Sequence, residues 1–422
     1  MSDPPAPPLA PVAPPERLAV LDVLRGGALF GVLASNVHML FGTRWLLGPA
    51  GATLDQTALD RAAATFVEIA IAGKAMTLLT FLFGLGFAMQ LVRADERAGE
   101  PGRGEPGAAP GDPARRLLVR RLAALLLFGV CHVTLVWWGD VTWTYATSGL
   151  ALLAFRRRAP RTLLAWSLAL TVIPHAAMNL PELGAAVRGV LPHPADPKAF
   201  RAELLAAIHG TDYAALAWAQ VRHAVYFVSV IAGWYFPWLV GRFLLGYYAG
   251  TRRLFDGDGA AHLRLFRRLI PWGLALALAS IAVHQLLGSS LMADHELLVP
   301  GRLAVITLTD LGVLGQAAAY ASIIVLLLQR PAWRRLLLVL APVGRMPLTT
   351  YLSQSVAATF VFYGWGLDRA GRTGAAGSLG ISAVIFALQI AAAHLWLRRF
   401  RFGPAEWLWR ALAYGRRPPL RL

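Results

Sequence analysis

The stretch LAVITLTDLGVLGQAAAYASIIVLLL, Leu303–Leu328, decides the class of this protein. Over 26 residues it carries a single charged side chain, Asp310. About 20 apolar residues are needed to cross the hydrocarbon core of a bilayer as an α-helix. A second stretch, LAALLLFGVCHVTLVWW at residues 122–138, is similarly apolar and contains His132. The sequence therefore predicts membrane-spanning helices rather than a soluble core.

The composition of the whole chain agrees with this interpretation. Of its 422 residues, 57% are hydrophobic and 15% are charged, whereas soluble globular chains have about 25% charged residues. We predict an all-α, polytopic membrane protein with about ten transmembrane helices. The predicted spans are residues 18–41, 70–92, 118–138, 141–155, 162–180, 224–250, 269–291, 303–328, 347–364 and 378–398. Because proline and glycine interrupt residues 333–346, we expect that segment to be interfacial or re-entrant.

The formal net charge of +17 comes almost entirely from arginine. The basic residues are concentrated in the even-numbered connections, such as residues 115–121 and 156–161, and after the last span. The odd-numbered connections are acidic or mixed. This is the positive-inside pattern, and it predicts that both termini are cytoplasmic. It also explains the charge without nucleic acid, so we expect the lipid bilayer as partner and no nucleic acid.

One polytopic domain accounts for most of the chain. Residues 1–16 are rich in proline and alanine, lack the layout of a cleaved signal peptide, and predict a disordered cytoplasmic tail. Residues 17–417 form a single membrane domain. Residues 100–113 predict a flexible linker, and residues 181–222 an outer loop that contains an amphipathic helix. We expect a multi-pass protein of the plasma (inner) membrane.

Polar side chains inside the predicted spans are candidates for a functional site, because each is costly in the membrane. Sorted by predicted depth, they form two layers. The inner layer contains Arg25, Arg242 and Arg345. The outer layer contains Asn36, His38, Lys74, His132, Asp140, His175, His284 and Asp310. The arginines could bind an anion on the cytoplasmic side, while the outer layer predicts a polar cavity at the opposite face.

Simpler roles stay open for many of these side chains. Residues that also fit an anchoring, packing or lipid-facing role are Arg25, Arg242, His38, His175 and His284. For His132 and Asp310 a functional and a structural role are equally open. Cys131 and His132 diverge by about 100° around a helix, which favours a structural cysteine. No histidine spacing fits a metal site, and we predict no metal.

Several ordered motifs resemble those of the YeiB-like membrane proteins (domain of unknown function 418). They are LDVLRG at 21–26 with Asn36, GK at 73–74 followed by LFGLG at 82–86, GVCH at 129–132 leading to GD at 139–140, GRFLLGYY at 241–248, GRMPLTTYLSQS at 344–355 and GPAEWLWR at 403–410. The resemblance covers residues 17–417. Its second half, about residues 224–417, corresponds to the C-terminal domain of that family.

The first helix is also similar to that of transmembrane acyltransferases, including acyltransferase family 3 and heparan-α-glucosaminide N-acetyltransferase. Such proteins move an acyl group from cytosolic acyl-coenzyme A to an acceptor on the far side. Acyltransferase family 3 has a histidine eleven residues after an arginine of helix one, whereas this chain has Asn36 at that distance from Arg25. The resemblance implies a membrane O- or N-acyltransferase that uses acyl-coenzyme A and has no tightly bound cofactor.

The chemistry of acyl transfer suggests roles for the polar residues. The catalytic candidates are His132, Asp140, Asn36 and Lys74. Histidine is suited to acid–base catalysis near neutral pH, an aspartate can orient it, and Asn36 or Lys74 could stabilise an oxyanion. The coenzyme A phosphates are assigned to Arg25, Arg242 and Arg345, since guanidinium groups suit phosphate. Substrate binding is assigned to Asp310 and Gln354.

Two other functions remain open from the sequence. The same two polar layers could form the path of a transporter or exporter of a small anionic solute, and a broken helix at residues 342–347 would fit that function. A membrane scaffold for a partner enzyme is the third possibility.

Overall fold

The computed structural model describes residues 18–422, apart from positions 43, 99–112, 157 and 179, most of residues 181–195, and residues 294–298. The predicted tail at 1–16 lies outside the described residues. So do nearly all of the predicted linker and the first part of the predicted outer loop.

The described residues form helices and no strand. The helices are α1 (Ala19–Asn36), α2 (Arg44–Leu47), α3 (Ala58–Phe66), α4 (Lys74–Ala98), α5 (Pro113–Leu135), α6 (Thr142–Gly149), α7 (Pro160–Met178), α8 (Pro197–His209), α9 (Tyr213–Thr251), α10 (Leu263–Ala293), α11 (Val299–Leu328), α12 (Pro331–Leu337), α13 (Ala341–Arg345), α14 (Pro347–Phe362), α15 (Ala375–Leu397) and α16 (Pro404–Tyr414). The all-α prediction is confirmed.

The described residues contain fewer candidate membrane spans than the predicted ten. Within the described chain, six helical segments are long and apolar enough to cross a membrane, or eight if each of two bent pairs counts as one span. The count of about ten is not confirmed. The predicted span at 141–155 consists of α6 and a 3₁₀-helix, Leu150–Phe155, with 8 and 6 residues. Together they reach about 24 Å, less than the hydrocarbon core of about 30 Å. The predicted span at 162–180 forms α7, which has Pro174 inside it and is not among the six.

The two bent pairs break the regular bundle. Helix α9 bends by 78° between Tyr213–Ser229 and Gly233–Thr251, and Pro331–Arg345 meets Pro347–Phe362 at 82°. Proline at the first position of α14 favours a helix start there, because its missing N–H is not needed. Arg345 therefore lies directly before a break, in the segment expected to be interfacial or re-entrant.

The basic connections meet at one end of the molecule, which we call the inner end. Asp258, in the sixth predicted connection, accepts hydrogen bonds from the backbone N–H of Val20 (3.0 Å) and from Nη1 of Arg334 in the eighth connection (2.9 Å). Trp409, near the C-terminus, donates to the carbonyl of Arg121 near the second connection (2.8 Å). These contacts support the predicted grouping of the arginine-rich connections with the C-terminal segment.

The opposite, outer end is formed by odd-numbered connections. Asp55 accepts from the backbone N–H of Ala375 (2.9 Å), and the N–H of Gly364 donates to the carbonyl of Ile208 (2.7 Å). The first, fifth and ninth connections therefore pack together, away from the arginines of the inner end.

Helices α4 and α9 cross in direct backbone contact. A Cβ atom at Gly84 would overlap the carbonyl oxygen of Phe243, and one at Gly246 would overlap the carbonyl oxygen of Phe81. Small residues permit such close helix packing in membranes. Arg242 precedes Phe243, so this crossing positions its side chain against α4.

Candidate functional site

A cavity of about 390 Å³ lies toward the inner end, among α1, α4, α5, α6, α14 and α16. Much of its wall consists of leucine side chains. The charged residues that line it are Asp22, Arg25, Arg121, Arg345, Glu406 and Arg410. Four guanidinium groups face two carboxylates, so the cavity has a positive balance that suits an anionic ligand.

The arginines of α1 and α5 are held by neighbouring side chains. Arg25 Nη1 lies 3.2 Å from Asp22 Oδ1, one helical turn earlier. Arg121 Nη1 donates to Gln90 Oε1 (2.5 Å), and its guanidinium carbon lies 4.3 Å from the ring centroid of Trp409. The stacking on Trp409 is a cation–π contact that fixes the plane of the guanidinium. Part of the positive charge at the cavity is therefore preorganised.

Glu406 fastens α16 to the start of α14. Its buried carboxylate accepts hydrogen bonds from the backbone N–H groups of Leu348 (2.6 Å) and Thr349 (3.1 Å) and from Thr349 Oγ1 (2.5 Å). A carboxylate at this position satisfies unpaired N–H groups of the first helical turn. Burial raises the pKa of the Glu406 carboxyl above its ordinary value of 4.5, while the hydrogen bonds with Thr349 oppose the rise.

A buried histidine–aspartate pair lies at the outer end of α5. His132 Nδ1 is 2.8 Å from Asp140 Oδ1, and the two side chains are 3% and 0% exposed. Asp140 also accepts from Thr142 Oγ1 (2.8 Å) and from the backbone N–H of Trp143 (3.2 Å). The pair forms because α5 ends at Leu135, and the chain then turns back along the last helical turn.

The second nitrogen of His132 makes no hydrogen bond to the described part of the protein. Since the Asp140 carboxylate is an acceptor, Nδ1 carries the hydrogen and Nε2 carries a lone pair. Nε2 is buried and has no hydrogen-bond partner in the described part of the chain. An imidazole oriented by a carboxylate, with the other nitrogen open, is the arrangement of a general base.

The pair lies directly beyond the wall of the cavity. Leu118 and Leu125 line the cavity from α5. His132, seven residues after Leu125, lies on nearly the same helix face and about 10 Å further along the axis. Tyr351 connects the two: it lines the cavity, its ring centroid is 5.6 Å from that of His132, and its hydroxyl accepts from the N–H of Val141 (3.2 Å).

The three predicted phosphate-binding arginines do not share one place. Arg25 and Arg345 line the cavity, whereas Arg242 does not. Arg242 is 0% exposed, donates from Nε to Thr77 Oγ1 (3.1 Å), and lies 3.5 Å from the ring centroid of Trp238. It bonds to Thr77, one turn from Lys74 of the predicted outer layer and about 13 Å along α4 from Gly86, beside which the Arg25 guanidinium lies.

The four predicted catalytic residues are likewise divided. His132 and Asp140 are hydrogen-bonded to each other, whereas neither Asn36 nor Lys74 bonds to that pair or lines the cavity. Lys74 Nζ donates to the carbonyl of Glu68 (3.0 Å). Asn36 is half-buried at the end of α1.

The two predicted substrate-binding residues have local partners of their own. Asp310 Oδ2 lies 2.8 Å from Nδ1 of His175. Gln354 Nε2 donates to the carbonyl of Leu29 (3.3 Å) and to Gln389 Oε1 (3.1 Å). Gln354 thus joins α14 to α1 and α15.

The remaining sequence candidates lie apart from the cavity. His38 is buried, 2% exposed, so it does not face lipid headgroups. His284 and Cys131 are exposed. Over the residues that the structure describes, no cluster of three or more histidine, cysteine, aspartate or glutamate side chains could hold a metal ion.

Sequence reasoning missed several cavity residues: Arg121, Tyr351, Glu406, Trp409 and Arg410. Arg121 belongs to a basic run that was interpreted only as a topology signal. The others lie within GRMPLTTYLSQS and GPAEWLWR, the motifs that carry the family resemblance, and this was the available signal.

Comparisons with known proteins agree with the family resemblance. Residues 249–416 match the model of DUF418, a protein family of unknown function. The chain is 30% identical to the uncharacterized protein YxaH of Bacillus subtilis (strain 168), over 96% of each chain. It is 29% identical to the uncharacterized protein YeiB of Escherichia coli (strain K12), over 94% of this chain and 96% of YeiB. An uncharacterized 39.9 kDa protein in the amylase 3' region of Bacillus acidopullulyticus is 27% identical, over 98% of each. The chain belongs to the DUF418 family.

Proposed function

We propose that this member of the DUF418 family is a transmembrane acyltransferase that moves an acyl group from cytosolic acyl-coenzyme A to an extracytoplasmic acceptor. One observation carries the proposal: an arginine-lined cavity ends beside a buried His132–Asp140 pair whose Nε2 has no partner among the described residues. The bacterial relatives support a site in the inner membrane.

The cavity has dimensions that suit part of the donor. Ligand pockets usually measure about 300–1,000 Å³, and this one has about 390 Å³. That volume suits the narrow pantetheine arm and a short acyl group, whereas the nucleotide part would remain outside. Arg25, Arg121, Arg345 and Arg410 would then bind phosphate oxygens, for which the planar guanidinium is well matched.

The proposed chemistry uses His132 as both base and acid. Nε2 removes the proton from an acceptor hydroxyl or amine as its oxygen or nitrogen attacks the thioester carbon. The carbon–sulfur bond then breaks, and the imidazolium returns the proton to the departing coenzyme A thiolate. Asp140 keeps the hydrogen on Nδ1 and stabilises the imidazolium.

Tyr351 is a candidate for stabilising the developing oxyanion. Its hydroxyl accepts a hydrogen bond from Val141, which leaves its own hydrogen available for donation. The residue lines the cavity next to His132. Donors aimed at a developing negative charge are among the largest contributors to catalysis. We assign this role to Tyr351 in place of Asn36 or Lys74.

Release of coenzyme A thiol by the purified protein in lipid nanodiscs tests the proposal. Labelled acetyl-coenzyme A should lose its acyl group in a reaction that depends on His132. The chain offers a matched control in His175, which also bonds to an aspartate through Nδ1 at 2.8 Å. Equal activity of the parent and of a His132→Gln variant would reject the proposal.

Transport of a small anion is the second candidate, and the bent helices favour it. Arg345 lies directly before the 82° break, and broken helices often surround the substrate site of a transporter. Uptake of a labelled anion into proteoliposomes without any acyl donor would support transport over acyl transfer.

A further inference from the structure

Arg242 is a buried charge that the proposed acyl transfer does not use. Its Nε donates to Thr77 Oγ1 (3.1 Å), Nη1 lies 3.5 Å from Thr171 Oγ1, and the guanidinium stacks on Trp238. Its Nη2 is buried with no hydrogen-bond partner in the described chain. A charge in the membrane interior is costly unless it is compensated, so such a residue indicates a functional partner.

The compensating charge comes from Asp310 on α11. Asp310 is near enough to attract Arg242 electrostatically. Its Oδ2 lies 2.8 Å from His175 Nδ1, and the His175 ring is stacked on Trp234 with 4.7 Å between centroids. Helices α7, α9 and α11 therefore bring an imidazole, a carboxylate and a guanidinium together outside the cavity.

The exposure of these groups decreases from one side to the other. The His175 side chain is 27% exposed, that of Asp310 is 8% exposed, and Arg242 is fully buried. His175 lies near the end of α7, on the side that the arginine distribution predicts to be outer. A proton from the medium can therefore reach His175 first.

The other helices packed against α11 add little charge around Asp310. Helix α4 carries Lys74, whose ammonium group donates to the carbonyl of Glu68 (3.0 Å). Helix α10 carries His284 in its outer half, and this residue is exposed. Arg242 and His175 are thus the charged or titratable groups that face Asp310 within the described part of these helices.

We propose that His175, Asp310 and Arg242 form a proton-binding site, separate from the cavity and reached from the predicted outer face. A proton taken up by the His175 imidazole is shared through the Nδ1–H···Oδ2 bond with the Asp310 carboxylate. Arg242 supplies the positive charge of this site. No redox step or bond cleavage other than proton transfer is involved.

Hydroxyl groups of α4 and α6 lie between this site and the cavity. Thr77, which accepts from Arg242, lies one helical turn from Thr80 on α4. Thr80 Oγ1 is 2.7 Å from the hydroxyl oxygen of Tyr145, and Tyr145 lines the cavity. Three hydroxyl groups therefore lie between the proton-binding site and the proposed acyl-donor site.

A hydrophobic carbodiimide tests this inference, because it modifies buried carboxyl groups in their protonated form. We would treat the intact protein in nanodiscs with dicyclohexylcarbodiimide and locate the adduct by peptide mass spectrometry. Modification of Asp310 should increase as the pH falls from about 8 to about 5, the range in which histidine titrates. Asp140, held by donors from His132, Thr142 and Trp143, is the matched control and should remain unmodified.

Variants make the test decisive. Arg242→Gln should shift the onset of Asp310 labelling to higher pH by about one to three units, as expected when a nearby positive charge is removed. If that variant does not fold, His175→Gln should abolish the pH dependence of labelling near neutrality. Absence of labelling at every pH in folded parent protein, or labelling that neither variant alters, would overturn the proposal. The assay contains no acyl donor, so its outcome is independent of the acyltransferase proposal.

Discussion

Two histidine–aspartate pairs in this molecule have the same type of hydrogen bond, but their surroundings differ in exposure and charge. In both, Nδ1 of the histidine lies 2.8 Å from a carboxylate oxygen. The His132–Asp140 side chains are 3% and 0% exposed, whereas those of His175 and Asp310 are 27% and 8% exposed. Asp140 is surrounded by neutral donors, and Asp310 faces the charge of Arg242.

The neighbours of such a pair determine its chemistry. Thr142 and Trp143 occupy the remaining acceptor sites of Asp140, so the carboxylate is fixed and Nε2 of His132 is the open position. Asp310 instead compensates a buried cation, and its protonation changes the net charge of the cluster. The first pair suits catalysis beside a cavity, and the second suits uptake of a proton.

The largest effect on the acyl-transfer rate is expected from removing the imidazole of His132 rather than that of His175. His132→Gln should lower acyl transfer by about 10²–10⁴-fold, because a positioned acid–base group contributes that much. His175→Gln should leave the transfer rate nearly unchanged. Both rates are measured as coenzyme A thiol release in nanodiscs. Equal losses in the two variants would mean that the pairs do not have separate functions.

The charges of Asp310 and its neighbour Arg242 should affect the free energy of unfolding. Arg242→Gln or Asp310→Asn alone should lower the free energy of unfolding by about 3–5 kcal/mol, because each leaves a buried charge without its partner. The double variant should lose less than the sum of the two. Arg25→Gln, at a half-exposed position, should cost about 0–1 kcal/mol. Thermal unfolding in detergent gives these differences, and strict additivity would show that Arg242 and Asp310 do not interact.

The aromatic neighbours of the two pairs provide a narrower test. Tyr351→Phe should lower kcat for acyl transfer by about 10²-fold with little change in KM, since it removes one donor to the oxyanion. Trp234→Phe keeps a ring against His175 and should leave kcat unchanged. If the Tyr351→Phe variant keeps the kcat of the parent, the hydroxyl has no role in the mechanism.

Coenzyme A binding should distinguish the arginines that line the cavity from Arg242. Arg25→Gln and Arg345→Gln should each weaken coenzyme A binding by about 1.5–3 kcal/mol, the range for hydrogen bonds to charged groups. Arg242→Gln should not affect it, because this residue lies outside the cavity. Isothermal titration calorimetry of the purified variants measures the affinities. A parent protein that does not bind coenzyme A would favour the transporter.

Reporter fusions, which should perturb the protein least, test which end of the molecule faces the cytoplasm. The assignment of the two histidine–aspartate pairs to the outer end depends on this topology. Reporter fusions after Arg97, Arg158 and Arg268 should be cytoplasmic, and fusions within residues 181–222 should be external, as the arginine distribution predicts. The proteins should otherwise behave as the parent does. An external reporter after Arg158 would contradict the predicted topology, and with it the assignment of the cavity to the inner end and of His175 to the outer end.

Sequence alone predicted the helical membrane fold, because it depends on local composition. It could not predict where the Arg242 side chain would lie: Arg242 bonds to Thr77 of α4, whereas Arg25 and Arg345 line the cavity. The His132–Asp140 contact depends on α5 ending at Leu135, three residues before the predicted end at 138. Had the helix continued, Asp140 would lie about two turns beyond His132 instead of beside it.

The crossing of α4 and α9 has a mechanical consequence. Backbones that touch at Gly84 and Gly246 cannot slide past each other without first separating. Helix α4 forms one wall of the cavity, and α9 carries Arg242. The crossing of these helices therefore sets the distance between the cavity and the Arg242 site. Any opening motion must therefore hinge elsewhere, at the bend that follows Ser229 or at the break before Pro347. A single methyl group added at either glycine would act as a wedge and displace both sites at once.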